Sequence, residues 1–373
     1  MFDRPPSRPL SRRAALGLLA ASAGSPFLAA EEKPKVDVEG MVDRGLEWLK
    51  KQQQADGHWE IQGGAHPTAM TGVAGQALLM EGSTLREGKY SDQVLKAVKW
   101  CMGRAQPTGQ LGNPRNPQEQ QQYIYGHGFA LLFLASAYGQ EEDADTRKKL
   151  EGVLQRAVKY SGNAQTSRGG WGYVSAKEMN DFDEGSTTIT QLQALRAAKN
   201  AGIAVPKEII DKSTKYLKEC TTSRGGIVYQ HPGVGRTPQA GGERPAITAA
   251  GVACAFSSGQ YNDEYAKKWI RYCKDSIRIA QGQFGGDAFF PYLTYYFAQA
   301  MYVLGDDRYA QMFPNDRDPL TWSTFKDKMF AHLKATQASD GSWPGDSVGP
   351  IFATAANVSI LQLEKNVLPI YHR

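Results

Sequence analysis

The chain alternates between segments that are polar on one side and segments that are apolar on nearly every side. Val42, Leu46 and Leu49 recur at helical spacing with charged residues between them, which predicts an amphipathic helix. After the breaker pair Asp56-Gly57, residues 68–81 are small or apolar all round, which predicts a buried helix. The alternation recurs, with amphipathic helices predicted at 38–54, 91–105, 146–163, 207–220, 262–280 and 321–337, and buried helices at 68–81, 125–138, 186–201, 245–258, 290–304 and 350–364.

A glycine follows a fixed reference position by four residues in six successive segments. The references are Gln53, Ala105, Gln165, Thr221, Gln281 and Gln337, at intervals of 52, 60, 56, 60 and 56 residues. Such a period is typical of repeat proteins, whose units bury their apolar faces against one another. The last apolar segment has no polar capping face, which favours closure of the array. We therefore predict an all-α fold, an α6/α6 toroid of six helical hairpins with apolar inner helices and amphipathic outer helices.

The N-terminal segment predicts export rather than structure. Arg12 and Arg13 precede an apolar stretch from Ala14 to Ala23, a pattern similar to a twin-arginine signal. That stretch is too short and alanine-rich to predict a transmembrane anchor. We expect residues 1–30 to be an export signal, residues 31–373 to form one toroid domain, and the mature protein to be periplasmic or extracellular.

Charge argues against a nucleic-acid partner. The formal net charge of the 373-residue chain is +5. It falls to about +2 without residues 1–30, which hold four arginines and one aspartate. We also expect no metal or other cofactor, because the six histidines show no pairing at ligand spacing.

Three repeats resemble the tryptophan–glutamine repeat of squalene–hopene cyclases and the related prenyltransferase β-subunit fold. In that pattern a basic residue and an aromatic residue precede a glutamine, and a glycine and a tryptophan follow it. The matches are Arg44, Trp48, Gln53, Gly57 and Trp59; Arg156, Tyr160, Gln165, Gly169 and Trp171; and Lys328, His332, Gln337, Gly341 and Trp343. The closing stretch from Leu361 to Tyr371 also looks like secreted bacterial proteins of this repeat class. The resemblance implies a terpenoid-cyclase or protein-prenyltransferase toroid, and the repeat itself is structural.

The resemblance also suggests a general acid. Triterpene cyclases protonate an alkene with an aspartic acid in an Asp-x-Asp-Asp-Thr-Ala motif, and Asp181-Phe-Asp183-Glu184 stands just before a buried helix. By position Asp183 matches the acid, with Asp181 and Glu184 in support, because neighbouring carboxylates can raise one another's pKa. The alternative is that these carboxylates stabilise the positive end of the helix.

Ligand-binding candidates lie on or beside the buried helices. Aromatic rings can steady carbocations, although aromatics at helical spacing more often form a core. His127 is flanked by glycines that allow close approach of a ligand, and the alternative is a hydrogen-bonded core histidine. The candidates are His127, Tyr125, Arg244, Phe290, Tyr292, Tyr295 and Tyr296.

Three functions remain open at this point. The first is a terpenoid-cyclase-like ring that binds an apolar or isoprenoid ligand in its central cavity. The second is a non-catalytic extracytoplasmic module that binds a protein partner. The third is a carbohydrate-active lyase or hydrolase, because secreted helical toroids also carry such sites. An aromatic-lined cavity favours the first function, and a cavity filled by the protein's own side chains favours the second.

Overall fold

A computed structural model describes residues 36–178, 181–232, 242–257, 264–277, 289–345 and 347–372. Val36–Arg373 is one compact unit, and its described residues form twelve α-helices and no β-strand. The helices are α1 (Val38–Gln52), α2 (Pro67–Glu81), α3 (Ser91–Gly103), α4 (Tyr123–Gln140), α5 (Ala144–Ala164), α6 (Gly185–Asn200), α7 (Lys207–Glu219), α8 (Pro245–Ser257), α9 (Glu264–Ser276), α10 (Phe290–Met312), α11 (Trp322–Thr336) and α12 (Gly349–Gln362).

The odd-numbered helices form the outer layer and the even-numbered helices the inner one. Helix α7 is typical of the outer layer, since it buries Ile209, Tyr216 and Leu217 and exposes most of its charged residues. Helix α4 is typical of the inner layer, because it is buried from Tyr123 to Tyr138 apart from the partly exposed Tyr125. This division confirms the predicted alternation. Helix α10 runs beyond its predicted end at residue 304, across a kink at Gly305 where φ is 63°.

The inner helices close into a ring. Each packs against the next, from α2 through α4, α6, α8 and α10 to α12, and α12 packs back on α2. On the outer side the Gln337 amide donates to Met41 O at 2.9 Å, and Arg44 Nη2 donates to Gln337 Oε1 at 2.9 Å. The two ends of the array therefore cover each other, and the fold is the predicted α/α toroid.

In three of the described repeats a glutamine ties the end of the outer helix to the turn that follows and to the next outer helix. Gln165 Nε2 donates to the carbonyls of Gly169 and Ile209, both at 3.0 Å. Gln53 makes the equivalent bonds to the carbonyls of Gly57 and Gln93. Gly57 has a φ of 104°, and a Cβ there would lie 2.7 Å from the Lys96 backbone, so the position requires glycine. The fifth copy, Gln281 and Gly285, lies outside the described residues.

Each inner helix has one residue near its start that occupies an equivalent place in every repeat, and we call it the register position. In five of the inner helices the side chain of this residue accepts a hydrogen bond from a backbone N–H in the turn that precedes the helix, at 2.9–3.0 Å. The pairs are Thr71 with Trp59, His127 with Leu111, Thr188 with Trp171, Thr248 with Ile227, and Thr354 with Trp343. In α10 the matching residue is Thr294, whose hydroxyl donates to the carbonyl four residues earlier, as those of Thr71, Thr188 and Thr248 do.

Counting from this register shows that inward-facing side chains fill the ring axis in layers. Two residues before the register position, Tyr292 contacts Phe352 across a 6.3 Å centroid distance. Two residues after it, the hydroxyls of Thr190 and Tyr296 meet at 3.5 Å although α6 and α10 are not neighbours in the ring. Five residues after it, Gln193 Nε2 donates to Gln299 Oε1 at 2.5 Å. The described axial residues therefore pack against one another instead of enclosing a wide lumen.

Two recesses lie away from the axis. One of about 270 Å³ opens between α5 and α7 beside Gln165, and one of about 40 Å³ lies between α6, α7, α8 and α9 beside Cys254. Neither is lined by a residue of the three axial layers. Within the described residues no helix is both long and apolar enough to cross a membrane. The predicted export signal at residues 1–30 lies outside them.

Candidate functional site

The N-terminal ends of the inner helices form one mouth of the ring, and partly exposed aromatic side chains gather there. Tyr125 and Tyr173 lie 6.0 Å apart between ring centroids, and Tyr173 and Phe182 lie 5.7 Å apart. The hydroxyls of Tyr173 and Tyr229 are hydrogen-bonded. All four residues are partly exposed, so this group of aromatic residues reaches the protein surface. We call Tyr125, Tyr173, Phe182, Tyr229 and Tyr292 the aromatic mouth.

Ser186 joins this group to the first axial layer. Its hydroxyl is hydrogen-bonded to Tyr125 OH, and its carbonyl accepts from Tyr292 OH at 3.2 Å. Tyr292 in turn packs edge-on against Tyr296 at 4.8 Å. The aromatic mouth is therefore continuous with the packed axis below it.

Glu184 lies under the aromatic mouth and is fully buried. Its Oε1 accepts from Tyr125 OH at 3.2 Å and Thr187 N at 2.6 Å, and its Oε2 accepts from Ser186 N at 2.9 Å and Ser186 Oγ at 2.6 Å. Burial raises the pKa of Glu184 above its ordinary value, and the hydrogen bonds from Ser186 and Thr187 oppose part of that rise. No cation is paired with this carboxyl among the described residues.

The same carboxyl also caps a helix. Glu184 is the N-cap of α6, so it stabilises the positive end of that helix, which is the alternative to acid catalysis given in the sequence analysis. Four residues before the register position the other inner helices carry Pro67, Tyr123, Arg244, Phe290 and Pro350. A carboxyl at this level is therefore a feature of the third repeat, and the ring does not require it elsewhere.

Asp183 occupies a different environment from its neighbour. Its Oδ2 accepts from Arg168 Nε at 2.7 Å, and its Oδ1 accepts from Tyr216 OH at 3.0 Å and His231 N at 3.2 Å. The carboxylate is fully buried and forms an ion pair with the partly exposed Arg168. The fourth repeat places Arg224 on Glu243 in the same way, at 3.3 Å. Recurrence of this ion pair indicates that it belongs to the architecture of the repeat.

Asp181 fixes the loop that precedes α6. It has a φ of 61°, and its carboxylate accepts from Ser167 N at 2.7 Å and Ser167 Oγ at 2.5 Å. It also pairs with Arg168 at 3.3 Å. The three carboxylates predicted to act together are therefore close in sequence but face different partners: Asp181 and Asp183 share Arg168, and Glu184 faces Tyr125.

Apart from His127, the ligand-binding candidates from the sequence lie in three places. Tyr125 and Tyr292 belong to the aromatic mouth, and exposed Arg244 places its guanidinium 5.7 Å from the Tyr229 ring at its edge. Tyr295 and Tyr296 are buried inside the ring, where their centroids lie 5.0 Å apart. Phe290 packs edge-on against His332 at 5.6 Å.

His127 has a packing role in the structure. It is fully buried, its Nδ1 accepts from Leu111 N at 3.0 Å, and its Nε2 is 2.9 Å from Ser161 Oγ. Burial lowers its pKa to about 3, so the ring is neutral at physiological pH. Because both ring nitrogens are occupied, we do not retain His127 as a ligand-binding residue.

Sequence reasoning missed Tyr173, Phe182, Tyr229 and Ser186. The first three lie in turns, where no helical period marks them. The repeat register held a usable signal, since Tyr173 follows Trp171 by two residues and Tyr229 follows the matching Ile227 by two. Among the described residues, no group of three or more histidine, cysteine, aspartate or glutamate side chains is arranged to hold a metal ion.

The fold is similar to toroids of two chemical classes. The type II terpene cyclase MstE from Scytonema is 14% identical, with a TM-score of 0.55 over 90% of this chain and 100% of that one. A variant of MstE in complex with geranylgeranyl dihydroxybenzoate gives a TM-score of 0.53 at 14% identity, over 87% of this chain and 96% of that one. The GH76A α-1,6-mannanase from Salegentibacter sp. HEL1_6 is 9% identical, with a TM-score of 0.60 over 89% and 100%. No protein-family model and no curated protein matches the chain, and these identities establish the fold alone.

Proposed function

We propose that this chain is a terpenoid-cyclase-like toroid that binds an apolar, isoprenoid-type ligand at the aromatic mouth, with Glu184 as the candidate proton donor. The observation that carries the proposal is a fully buried carboxyl of raised pKa under a group of partly exposed aromatic rings. The ligand was expected in the central cavity. Because axial side chains fill that space, we place the ligand at the mouth instead.

The aromatic mouth suits an apolar ligand that carries or develops positive charge. Ring faces attract cations through their quadrupoles, and each such contact contributes about 0.5–2 kcal/mol depending on exposure. The mouth offers four phenol rings and one phenyl ring, and three of the rings belong to a continuous contact from Tyr125 through Tyr173 to Phe182. A chain with several alkene units could contact more than one ring at once.

Proton delivery from Glu184 requires a path, because the carboxyl has no exposed surface. Tyr125 OH is bonded to Glu184 Oε1 and belongs to a partly exposed residue. When Glu184 is protonated, this hydrogen bond can reverse, and the Tyr125 hydroxyl can then pass its own proton to the ligand. Arg168, Tyr216 and the His231 backbone occupy the carboxylate oxygens of Asp183, and none of them belongs to the aromatic mouth, so Glu184 replaces Asp183 as the candidate acid.

The experiment is ligand binding to the exported form, with squalene and geranylgeraniol as probes, measured by native mass spectrometry and by thermal shift. Tyr125→Ala and Tyr229→Ala should each weaken binding at least several-fold, and Tyr265→Ala on the outer helix α9 is the control. Tyr125→Phe keeps the ring and removes the hydroxyl, so it should keep binding and lose turnover, as should Glu184→Gln. If neither probe binds the wild-type protein, the proposal is wrong.

The second candidate is a protein-binding module, and the filled axis favours it. A ring whose core is closed can still offer its outer surface, and Phe289 exposes about half of its side chain beside α10. Cross-linking in the native envelope fraction tests this candidate. A specific partner that remains bound to Tyr125→Ala, together with no probe binding, would favour the module.

The carbohydrate-active candidate has less support from the described residues. Glycosidases place two carboxyls on either side of one bond, about 5–9.5 Å apart. Asp183 and Glu184 are adjacent, but Asp183 faces Arg168 and Glu184 faces Tyr125. We also propose that residues 1–30 direct export and that the toroid beginning near residue 31 is the mature domain. N-terminal sequencing of the secreted protein tests both statements.

A further inference from the structure

A layer of glutamine side chains crosses the ring axis below the aromatic layers. Gln76, Gln193 and Gln299 each follow the register position of their helix by five residues, so they lie at one level. Their helices α2, α6 and α10 alternate around the six-helix ring. Gln193 and Gln299 meet directly at 2.5 Å, which shows that these side chains point toward the axis.

Two phenols connect the remaining glutamine to this layer. Gln76 Nε2 donates to Tyr371 OH at 3.4 Å, and Tyr371 OH lies 3.1 Å from Tyr295 OH. Tyr295 precedes Gln299 by one helical turn, so it lies next to this layer. Tyr371 comes from the short 3₁₀ turn Pro369–Tyr371 at the C-terminus, which packs against α6. The C-terminal segment therefore covers the glutamine layer at the end of the ring opposite the aromatic mouth.

The layer leaves buried polar atoms without a hydrogen-bond partner in the protein. These are Gln76 Oε1, Gln193 Oε1 and Gln299 Nε2, and Gln362 Oε1 on α12 is a fourth. All four side chains are at least nine-tenths buried. Gln362 donates to Ala77 O, the carbonyl next to Gln76, so its amide also lies near this level. Buried amides without partners are rare in native proteins, because removing them from water without compensation is costly.

The unpaired donor and acceptor atoms indicate which kind of molecule could bond to this layer. Three carbonyl oxygens lack a donor, and one amide NH2 group, with two N–H donors, lacks an acceptor. Exchanging the amide O and N of both Gln193 and Gln299 leaves the same count. A bare cation would satisfy the oxygens but repel the free N–H, and no acidic residue belongs to this layer. An anion would be repelled by the three carbonyl oxygens. A neutral molecule with hydroxyl groups can both donate and accept, as the set requires.

We propose that the glutamine layer is an internal binding site on the ring axis for a small neutral hydroxyl compound, either water or a small alcohol. The site is separate from the aromatic mouth and does not depend on which ligand the mouth binds. Its lining comes from four inner helices and the C-terminal turn, so an occupant links parts of the chain nearly 300 residues apart. The occupant satisfies amides that the ring otherwise leaves unpaired.

The test is a high-resolution crystal structure of the full domain, grown once without alcohol and once with ethylene glycol. We expect a density peak within hydrogen-bond distance of at least two of the glutamine amides. A peak of one atom in both crystals identifies water, and a peak that becomes diol density in the second identifies an alcohol site. Both results support the site.

A matched set of variants tests the site in solution as well as in the crystal. The double variant Gln193→Met/Gln299→Met should lose the peak and melt at a lower temperature than wild type, because the occupant and the Gln76 carbonyl lose their partners. Gln110→Met removes a buried amide in the loop before α4 and should leave the axial peak in place. Absence of the peak in wild type, with a double variant that is as stable as wild type or more stable, would overturn the proposal.

Discussion

Adjacent carboxyls in this protein have opposite environments, and the difference is set by single neighbours. Asp183 lies against Arg168, whereas Glu184 accepts only from neutral groups. Burial raises the pKa of Glu184, whose hydrogen-bond partners carry no charge, whereas Asp183 is bound by a guanidinium group. The two residues therefore differ in chemistry although both are fully buried. Sequence position pointed to Asp183 as the acid, and the neighbours that distinguish the pair are not visible in the motif.

Asp183→Asn should destabilise the protein strongly. The substitution leaves Arg168 without its closest partner and weakens the bonds from Tyr216 and the His231 backbone, at a cost of about 3 kcal/mol. Urea denaturation measures the change. The control is Glu243→Gln, whose partner Arg224 is mostly exposed, so its loss should cost under about 1 kcal/mol. Equal costs for the two variants would contradict a structural role for Asp183.

The cysteines should be unreactive in the folded protein. None of the four forms a disulfide, and burial raises the pKa of both Cys220 and Cys254 to about 12. The thiolate is the reactive form, so little of it exists near neutral pH. We expect negligible labelling by Ellman's reagent at pH 7.5 in buffer and four equivalents after unfolding in urea. Rapid labelling of any thiol in buffer would show that the burial is not maintained in solution.

At the scale of the helix, the register position explains residues that composition left ambiguous. Four of the described inner helices use a threonine hydroxyl to accept from the preceding turn, and α4 uses His127. The glycines around His127 also have structural reasons, since a Cβ on Gly128 would lie 2.7 Å from the Gln191 side chain. The neighbouring glycines thus serve close helix packing rather than ligand approach.

His127 predicts a dependence of stability on pH. Its pKa is about 3 in the folded ring and near 6.5 when exposed, so the unfolded chain binds a proton in that interval and the folded chain does not. The contribution is therefore lost progressively as pH falls from about 6.5 toward 3. His127→Thr, which adopts the residue of the other repeats, should show a smaller fall in melting temperature between pH 7 and pH 5. Subtracting the two curves removes the other titrating groups, and parallel curves would contradict the prediction.

At the scale of the whole molecule, the fold could be predicted because its signals are local and repeated. Amphipathic periods identify the outer helices, and each glycine turn marks a hairpin. The interior could not be predicted in the same way. The inner helices are apolar on all sides, so their sequences do not reveal that Tyr296 and Gln299 face the axis while other apolar residues face the outer layer. Tyr173 and Tyr229 reach the mouth from turns through tertiary contacts alone.

Closure of the ring gives the last repeat a role that the others lack. Gln337 on the final outer helix bonds to Met41 and Arg44 at the start of the domain, whereas Gln165 makes the matching bonds between neighbouring repeats. The Gln165 side chain makes three hydrogen bonds and the Gln337 side chain makes four, so replacement by alanine should cost about 1–3 kcal/mol in either case. The two substitutions differ in which helices they release, because Gln337 joins α1 to the last repeat, whereas Gln165 joins two repeats that are consecutive in the sequence.

We therefore expect Gln337→Ala and Gln165→Ala to have similar stability losses but different patterns of amide hydrogen exchange. In Gln337→Ala, exchange should accelerate in α1 and α11 together, since opening the closure frees both ends of the array. In Gln165→Ala, acceleration should be confined to α5, α7 and the turn at Gly169, because the neighbouring repeats still hold that hairpin on both sides. Mass spectrometry of peptic fragments resolves these segments. Local exchange in both variants would mean that the ring behaves as an open stack whose two ends happen to touch, and that closure adds nothing to its cooperativity.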